Sequence, residues 1–128
     1  MLEIKPIQTK ELQKEICELC GVDFDADCLA YSAVENGILL GISQFRILGK
    51  YAVIYDLTNA SGTGDLDALI IMGKGTLNFI DLCGVKDVII KTETNNLPQL
   101  LGFKQDGDGV WRVNLDGYFV SPCKKINK

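Results

Sequence analysis

Residues 51–93 carry the clearest pattern in the chain, in the order strand, loop, helix, strand. Residues 51–58 (YAVIYDLT) and 85–92 (VKDVIIKT) are rich in β-branched and aromatic side chains, as strands are. From Asp65 onward, apolar residues recur at helical spacing. Because two strands joined by a helix of this length lie parallel through a right-handed crossover, the helix begins at the carboxyl end of the first strand.

The loop before this helix suggests an anion site. Residues 59–64 (NASGTG) contain two glycines and lead directly to the helix start. Unpaired backbone N–H groups gather at a helix N-terminus, where the helix dipole is positive. A phosphate held by main-chain donors is one interpretation of this loop. The other is that the glycines serve only its conformation.

The first twenty residues predict an edge strand followed by a helix. Residues 2–7 alternate in polarity, and Pro6 places this strand at or near the edge of a sheet. Thr9 is suited to cap the helix, and Gly21 is suited to end it. The predicted apolar face of the helix comprises Leu12, Ile16, Leu19 and Cys20.

The next thirty residues predict an antiparallel meander. Residues 28–34 and 38–47 have strand character, and residues 35–37 (ENG) between them are a strong hairpin signal. A second turn at 49–50 leads into residues 51–58. Since this last strand also begins the parallel crossover, the sheet is mixed and the fold class is α+β or α/β.

The long helix is apolar around most of its circumference. Its sheet-facing stripe is predicted to comprise Leu66, Leu69, Ile70, Gly73, Leu77 and Ile80. A second flank of Ile71, Met72, Phe79 and Leu82 is expected to meet another element or another subunit. Gly73 lies within the sheet-facing stripe, so its missing side chain permits either close packing or contact with a ligand.

The C-terminal third predicts smaller elements. Residues 94–103 form a loop with at most two helical turns, because Pro98 must lie in the first turn, and Gly102 ends them. A turn at 106–109 leads to a strand at 110–115, and residues 116–120 are a candidate for one more strand.

Composition indicates one soluble domain. The chain has 128 residues, of which 47% are hydrophobic and 23% are charged, enough to bury a substantial core. No apolar run approaches a membrane span, and the formal charge of −4 argues against a nucleic-acid partner. The mean hydropathy of +0.13 favours a homodimer contact.

Five cysteines would suggest disulfides only in a secreted protein. The start MLEIK is charged where a signal peptide is apolar, so we expect a reduced, cytoplasmic protein. Cys17 and Cys20 form a C-x-x-C pair at the end of a helix, where the dipole opposes a thiolate. The chain has no histidine and no second C-x-x-C, so we expect no metal site. We interpret the cysteines as buried or idle thiols.

The order of these elements resembles the GNAT N-acetyltransferase superfamily. The motifs that carry the resemblance are residues 59–65 before the long helix, 83–85 (CGV) before the next strand, and 101–103 (LGF). The resemblance covers the whole chain as topology. It implies a single GNAT-like domain over residues 1–128, whose mixed sheet combines an antiparallel N-terminal meander with a central parallel βαβ crossover.

The family resemblance also implies a cofactor and a reaction. In GNAT proteins the strand before the long helix splays from its parallel partner, and acetyl-CoA lies in the gap with its pyrophosphate on the loop. The implied reaction is acetyl-CoA-dependent N-acylation of a small-molecule or peptide amine. The implied cofactor-binding residues are Leu57, Thr58, Asn59, Ser61, Gly62, Thr63, Gly64 and Asp65.

Several positions depart from the family pattern. Asn59 stands where the family has Arg or Gln, and Pro98 stands where it often has a tyrosine that protonates the departing thiolate. A second register of the loop motif, at residues 73–75 (GKG), leaves about two helical turns before the next strand, too few for a crossover. The alternative is therefore a catalytically degenerate GNAT-like domain that serves as a CoA-binding or protein-interaction module.

Two carboxylates are the candidate catalytic bases. Asp56 and Glu93 lie near the carboxyl ends of the two parallel strands, so either can accept the amine proton, directly or through water. Backbone N–H groups of a splayed strand can stabilise the oxyanion. Tyr31, Tyr55 and Tyr118 are conceivable acids, although aromatic residues in strands usually serve packing. The two carboxylates also have a plainer interpretation, as solvated acids at strand ends.

Overall fold

The computed structural model describes residues 1–119, which form a seven-stranded mixed sheet covered by helices on both faces. A single 3-10 turn at Thr94–Asn96 precedes the last helix. The elements in chain order are β1 (Leu2–Pro6), α1 (Lys10–Cys20), β2 (Leu29–Glu35), β3 (Ile38–Leu48), β4 (Tyr51–Asn59), α2 (Leu66–Leu82), β5 (Asp87–Ile90), α3 (Leu97–Leu100), β6 (Lys104–Gln105) and β7 (Trp111–Asn114).

The sheet confirms the predicted topology. Its strand order is β1-β2-β3-β4-β5-β7-β6, with β1 to β4 antiparallel neighbours and β4 and β5 a parallel pair joined by α2. Strand β6 has two residues, too few for a hydrophobic pattern, and the sequence did not predict it. The strand predicted at 116–120 is wrong for residues 116–119, which form turns. Val120, its last residue, and Cys123 lie outside the described residues.

Short-range signals set the boundaries of the elements. Thr9 caps α1, accepting a hydrogen bond from the Leu12 amide at 3.1 Å, and Gly21 ends this helix at φ 69°. Asp65 caps α2 by accepting from the Ala68 amide at 3.0 Å. Asn36 and Gly37 both have positive φ in the β2–β3 turn. These side chains and backbone conformations act within a few residues, which is why the pattern predicts them well.

Strands β4 and β5 diverge after four paired residues. The pairing runs from Tyr51 opposite Asp87 to Ile54 opposite Ile90, and the Lys91 amide donates to the Ile54 carbonyl at 2.8 Å. Strand β4 continues to Asn59 paired with β3 alone. A bulge at Tyr55 shifts the β3–β4 register just where the divergence begins. Since a bulge bends its strand and increases the local twist, it helps turn β4 away from β5.

The main core lies between the sheet and the α2 face. Met72 of α2 is fully buried, and Phe79 packs edge-on against the rings of Tyr31 and Phe45. These two residues of the second apolar flank therefore meet elements of their own chain. The other two, Ile71 and Leu82, remain 48% and 76% exposed.

Gly73 of α2 is a close-packing position. A Cβ at this residue would lie 2.8 Å from one Cδ of Leu101 and 3.1 Å from a Cδ of Leu57. Both leucines are buried, so side chains of the core fill the space that a larger residue would take. The close-packing interpretation of Gly73 is therefore confirmed.

The buried face of α1 differs from the predicted one. Leu12 and Leu19 are 45% and 57% exposed, whereas Gln13 and Cys17 are buried with Ile16 and Cys20. The helix turns Gln13 toward the sheet because this side chain finds hydrogen-bond partners there. A buried amide with its partners satisfied is tolerated, and the two leucines are displaced to the surface.

Candidate active site

The site is built around the end of β4, where the strand has a neighbour on one side only. Beyond Ile54 the backbone groups of β4 that face β5 have no strand partner. Asp56 and Leu57 lie in this segment, with Asp56 paired to Gln44 and Leu57 to Ser43 of β3. The side chains alternate, so that Leu57 packs beside Gly73 of α2 while Asp56 points to the α1 face.

Asp56 is held by a buried amide. Its Oδ2 atom accepts a hydrogen bond from Gln44 Nε2 at 2.7 Å, and the Gln44 side chain is fully buried. The same Nε2 group donates to the backbone carbonyl of Asp23 at 2.8 Å. Gln44 therefore links the carboxylate of β4 to the α1–β2 loop, residues 21–28.

Burial raises the pKa of Asp56 above its ordinary value. The neighbouring carboxylates of Asp23 and Asp25 raise it further, and the hydrogen bond from Gln44 opposes the shift. A raised pKa makes this carboxylate a stronger proton acceptor than a solvated aspartate, which suits a general base.

Glu93 has a different environment. It is exposed and precedes the 3-10 turn, three residues beyond the last paired residue of β5, without a side-chain capping bond. The structure therefore brings Asp56, but not Glu93, into a hydrogen-bonded network.

The loop between β4 and α2 is anchored at three points. The Ser61 amide donates to the Leu19 carbonyl at 2.8 Å, and both the amide and the hydroxyl of Thr63 donate to the Ala60 carbonyl. The Asn59 side chain donates to the carbonyls of Leu40 and Asp65 at 3.0 and 3.2 Å. Asn59 therefore fixes the shape of the loop, and its amide nitrogen is engaged by the chain itself.

Several backbone N–H groups of this loop have no acceptor within residues 1–119. They belong to Gly62, Gly64, Asp65, Leu66 and Asp67. Gly62 has φ 83°, and a Cβ at Gly62 or at Gly64 would meet nothing within 4 Å, so both glycines border open space. These donors at the start of α2 fit a phosphate held by the main chain.

Two carboxylates lie at the same helix start. Asp65 is the N-cap, with its Oδ1 atom on the Ala68 amide, and Asp67 lies in the first turn of α2. A capping carboxylate consumes one of the donors and places negative charge beside the others. The geometry of the loop therefore favours an anion while its side-chain charge opposes one.

The short helix α3 follows β5 and packs against the main core. Leu97 and Leu101 are buried against the main core, and Pro98 occupies the first turn as the sequence predicted. The Tyr118 hydroxyl donates to the Leu101 carbonyl at 2.6 Å and holds the end of the helix. Burial raises the pKa of Tyr118, so this phenol is a structural donor and a poor acid.

Cys17, Cys20 and Cys28 are buried and held as thiols, whereas Cys83 is exposed. Burial raises the pKa of Cys17 to about 11 and those of Cys20 and Cys28 to about 12. A thiolate is the reactive form, so these three side chains are inert near neutral pH. Within residues 1–119, no three acidic, cysteine or histidine side chains converge on a metal-binding position. In the same part of the chain, every helix is too short or too polar to cross a bilayer.

Two surface cavities lie away from this site. The larger, of about 160 Å³, is bordered by Tyr51, Ile89 and Arg112 at the opposite end of the parallel pair. The smaller, of about 90 Å³, lies between Ile7 and the aromatic cluster of Tyr31, Phe45 and Phe79. Neither includes Asp56 or the loop before α2.

Gln13 and Gln44 are the site residues that sequence reasoning missed. Gln13 precedes Ile16 by three residues and Cys17 by four, so it shares the apolar face of α1, and a polar residue on such a face signals a buried polar contact. Gln44 gave no such signal. Its partner Gln13 is 31 positions away, and only the folded chain brings the two together.

The comparisons with known proteins fall into two kinds. No protein-family model and no curated protein matches this sequence. Solved structures, by contrast, do superimpose on it. The spermidine/spermine N-acetyltransferase of Vibrio cholerae covers 92% of this chain and 97% of its own, with a TM-score of 0.69 and 11% sequence identity.

Two further solved structures contain a cofactor. A GNAT family acetyltransferase of Brucella melitensis in complex with acetyl-CoA has a TM-score of 0.68 and 11% identity, over 89% of this chain and 88% of that one. The PaiA N-acetyltransferase of Thermoplasma acidophilum in complex with coenzyme A has a TM-score of 0.66 and 12% identity, over 88% and 96%. Likeness at this level of identity concerns the backbone. The chain therefore has the fold of the GNAT N-acetyltransferases.

Proposed function

We propose that this protein is an N-acyltransferase that transfers the acyl group of acetyl-CoA to an amine. The observation that carries the proposal is the divergence of β4 and β5 after Ile54 and Ile90, beside unpaired N–H groups at the start of α2. Solved structures of the same fold with CoA and acetyl-CoA support it. When bound, the cofactor supplies an acyl thioester that an amine can attack.

The chain would hold the cofactor through its backbone. The N–H groups of Gly62, Gly64, Leu66 and Asp67 are the donors for the pyrophosphate, as the open space around the glycines allows. Asn59, Ser61 and Thr63 shape this loop through their own hydrogen bonds. Leu57 and Thr58 belong to the open segment of β4. Because Asp65 and Asp67 oppose an anion, we expect weaker binding than a loop with an arginine would give.

Asp56 is the proposed base that accepts the proton of the amine. Its Oδ2 atom is engaged by Gln44, whereas Oδ1 has no partner among the described residues and is available to the acceptor. Its raised pKa narrows the gap to the pKa of an amine. Glu93, at the end of β5, stays a second candidate for this role. Pro98 offers no proton for the leaving group, and in this proposal solvent supplies it.

A thermal-shift titration with acetyl-CoA tests the binding step. At one hundred times the dissociation constant, a ligand that binds only the folded state adds about 2.7 kcal/mol, which raises Tm by roughly 10 °C for a domain of this size. An unchanged melting temperature at millimolar acetyl-CoA would remove the basis of the proposal.

Release of free CoA thiol in the presence of a panel of amines tests turnover. Asp56→Asn should reduce the rate by on the order of 100-fold or more if Asp56 is the base. Glu93→Gln tests the second carboxylate in the same assay. Asp108→Asn, in the exposed turn before β7, is the matched control and should retain full activity. If Asp56→Asn and Glu93→Gln both retain the rate of the wild type and of Asp108→Asn, neither carboxylate is the base.

A catalytically degenerate GNAT-fold domain is the second candidate function. The observations that favour it are the carboxylates of Asp65 and Asp67 at the anion loop and the proline at position 98. Such a domain would act through protein contacts, and Ile71 and Leu82 of α2 are the apolar side chains still exposed on the second flank. Sedimentation of the wild type and of Ile71→Lys tests this. A monomer in both cases, together with acetyl-CoA turnover, would eliminate the second candidate.

A further inference from the structure

We infer that Gln44 and Gln13 form a positioning pair that holds the Asp56 carboxylate and the α1–β2 loop in one fixed arrangement. The inference rests on the proposed function, since it assigns the pair to the orientation of the proposed base. Neither glutamine contacts the reacting atoms. Both would act through Asp56.

Gln44 uses its whole hydrogen-bonding capacity in this arrangement. Its two Nε2 hydrogens go to Asp56 Oδ2 at 2.7 Å and to the Asp23 carbonyl at 2.8 Å. Its Oε1 atom accepts from Gln13 Nε2 at 2.8 Å and, more weakly, from the Asp25 amide at 3.5 Å. Because a carboxylate and a backbone carbonyl only accept, the orientation of the Gln44 amide is determined by its partners.

Gln13 extends the network to the surface. Its Nε2 group also donates to the Asp25 carbonyl at 3.2 Å, and its Oε1 atom accepts from Lys10 Nζ at 3.1 Å. Lys10 donates in turn to the Cys28 carbonyl at 2.6 Å. The chain of hydrogen bonds therefore runs from a surface ammonium group through two buried amides to Asp56, and it ties the loop down at three carbonyls.

Gln13 and Gln44 occupy buried positions that usually hold apolar side chains. Gln13 and Gln44 are 1% and 0% exposed, at places where apolar side chains would fill the interface between α1 and the sheet without needing partners. A buried polar network is retained at low cost only when each member is satisfied, and here each member is. Its inner end is the carboxylate at the open segment of β4.

The charged groups around Asp56 explain why it needs to be held. Asp23 and Asp25 of the loop repel its negative charge, and the Cys17 thiol of α1 faces it from the helix. Gln44 supplies the compensating donor, which lowers the pKa of Asp56 against these effects. Without that donor the carboxylate would turn away from its repelling neighbours or take up a proton.

Gln44→Leu tests the inference through the titration of Asp56, measured by carboxyl carbon NMR on the unliganded protein. We expect the pKa of Asp56 to move upward, and the acidic limb of the kcat/KM profile to move to higher pH with it. Misplacement of the base should also reduce kcat by on the order of 10- to 100-fold. The titration needs no cofactor and no turnover.

Ser43→Ala is the matched control. Ser43 precedes Gln44 on β3 but points to the α2 face, where its hydroxyl lies 2.9 Å from that of Thr76, and both residues are fully buried. This variant also loses a buried hydrogen bond in the same strand. It should therefore lower the melting temperature while leaving the Asp56 titration and the acidic limb unchanged.

Gln44→Glu keeps the volume of the side chain if Gln44→Leu fails to fold. It places a second carboxylate beside Asp56, so the two would share a proton and titrate as a pair with one strongly raised pKa. The acidic limb should then move to higher pH. An Asp56 titration that is the same in the Gln44 variants as in Ser43→Ala would overturn the inference, whether or not the wild type is active. If the Asp56 titration shifts in the Gln44 variants but the wild-type protein has no acyltransferase activity, the result counts against the proposed function and not against the inference.

Discussion

Alanine at Gly73 and alanine at Gly75 place the same methyl group on the same helix in two different surroundings. Gly75 is open enough for it, since a Cβ there would lie 3.6 Å from Cγ2 of Ile4, an ordinary contact distance. At Gly73 the new Cβ would lie 2.8 and 3.1 Å from the two Cδ atoms of Leu101 and 3.1 Å from Cδ2 of Leu57. The pair of variants therefore separates helix propensity from packing.

The two substitutions should change the free energy of unfolding in opposite directions relative to the wild type. Replacing a helical glycine by alanine stabilises a helix by about 1 kcal/mol, and Gly75→Ala should gain most of this. Gly73→Ala gains the same propensity but overpacks a core whose leucines are each 1% exposed, at a cost of about 1–3 kcal/mol. Its net effect should be a destabilisation of roughly 0–2 kcal/mol, and the two variants should differ in Tm by about 4–10 °C.

Urea unfolding followed by circular dichroism measures both values, with equal m-values as the check on two-state behaviour. Leu101→Val adds a test of cause, because a shorter side chain at position 101 leaves room for the methyl group. Gly73→Ala should cost less in that background than in the wild type. Equal stability of the two single alanine variants would show that Leu101 and Leu57 yield freely, and the close-packing explanation of Gly73 would be wrong.

Three further predictions concern the site. Asp56→Asn should reduce acyl transfer on the order of 100-fold without lowering stability at pH 7. The folded-state pKa of Asp56 is raised, so its ionisation opposes folding above that pKa and has no effect below the pKa of a free aspartate, about 3.9. Melting curves at pH 4 and pH 7 check this, and a large loss at pH 7 would contradict it. Asp65→Ser keeps a capping side chain but removes a negative charge that opposes a bound phosphate by about 1 kcal/mol. Calorimetry should therefore find acetyl-CoA bound roughly five-fold more tightly than by the wild type. An unchanged affinity would mean that the phosphates bind elsewhere. Tyr118→Phe removes the hydrogen bond to the Leu101 carbonyl and should lower the free energy of unfolding in urea by about 1 kcal/mol. An unchanged free energy of unfolding would show that this bond does not stabilise the end of α3.

The parts of the fold that the sequence predicted are those set by local interactions. Thr9, Gly21 and Asp65 act on backbone groups within a few residues, and the β2–β3 turn is specified by Asn36 and Gly37 alone. Helix and strand boundaries therefore agree with the pattern to within one or two residues. The rotation of α1 about its own axis depends instead on partners in other elements, and the buried face predicted from the apolar pattern was wrong at Leu12 and Leu19.

The candidate site divides in the same way. Asp56 could be proposed from the sequence because it is the first charged residue after the apolar run at 51–55, although β4 continues beyond it to Asn59. The divergence of β4 from β5 came from family resemblance, since no pattern within either strand specifies where their pairing stops. Gln44 was not identifiable at all, because an isolated polar residue in a strand has many possible partners and its own are contributed by β4, α1 and the α1–β2 loop.

The low sequence identity and the close structural match have one physical explanation. The divergence of β4 and β5 and the free amides before α2 are backbone features, which depend on strand pairing and glycine conformation and tolerate wide changes in side chains. The side chains are not constrained in this way, and Asn59 and Pro98 are the positions that depart from the family pattern. If the protein is the proposed acyltransferase, Asp65 and Asp67 should weaken its affinity for acetyl-CoA, whereas Asp56 is held by a buried amide as a base would need to be. We therefore expect a weakly binding but chemically competent enzyme. CoA release that falls on the order of 100-fold in Asp56→Asn would distinguish it from a domain that binds the cofactor but has lost catalysis.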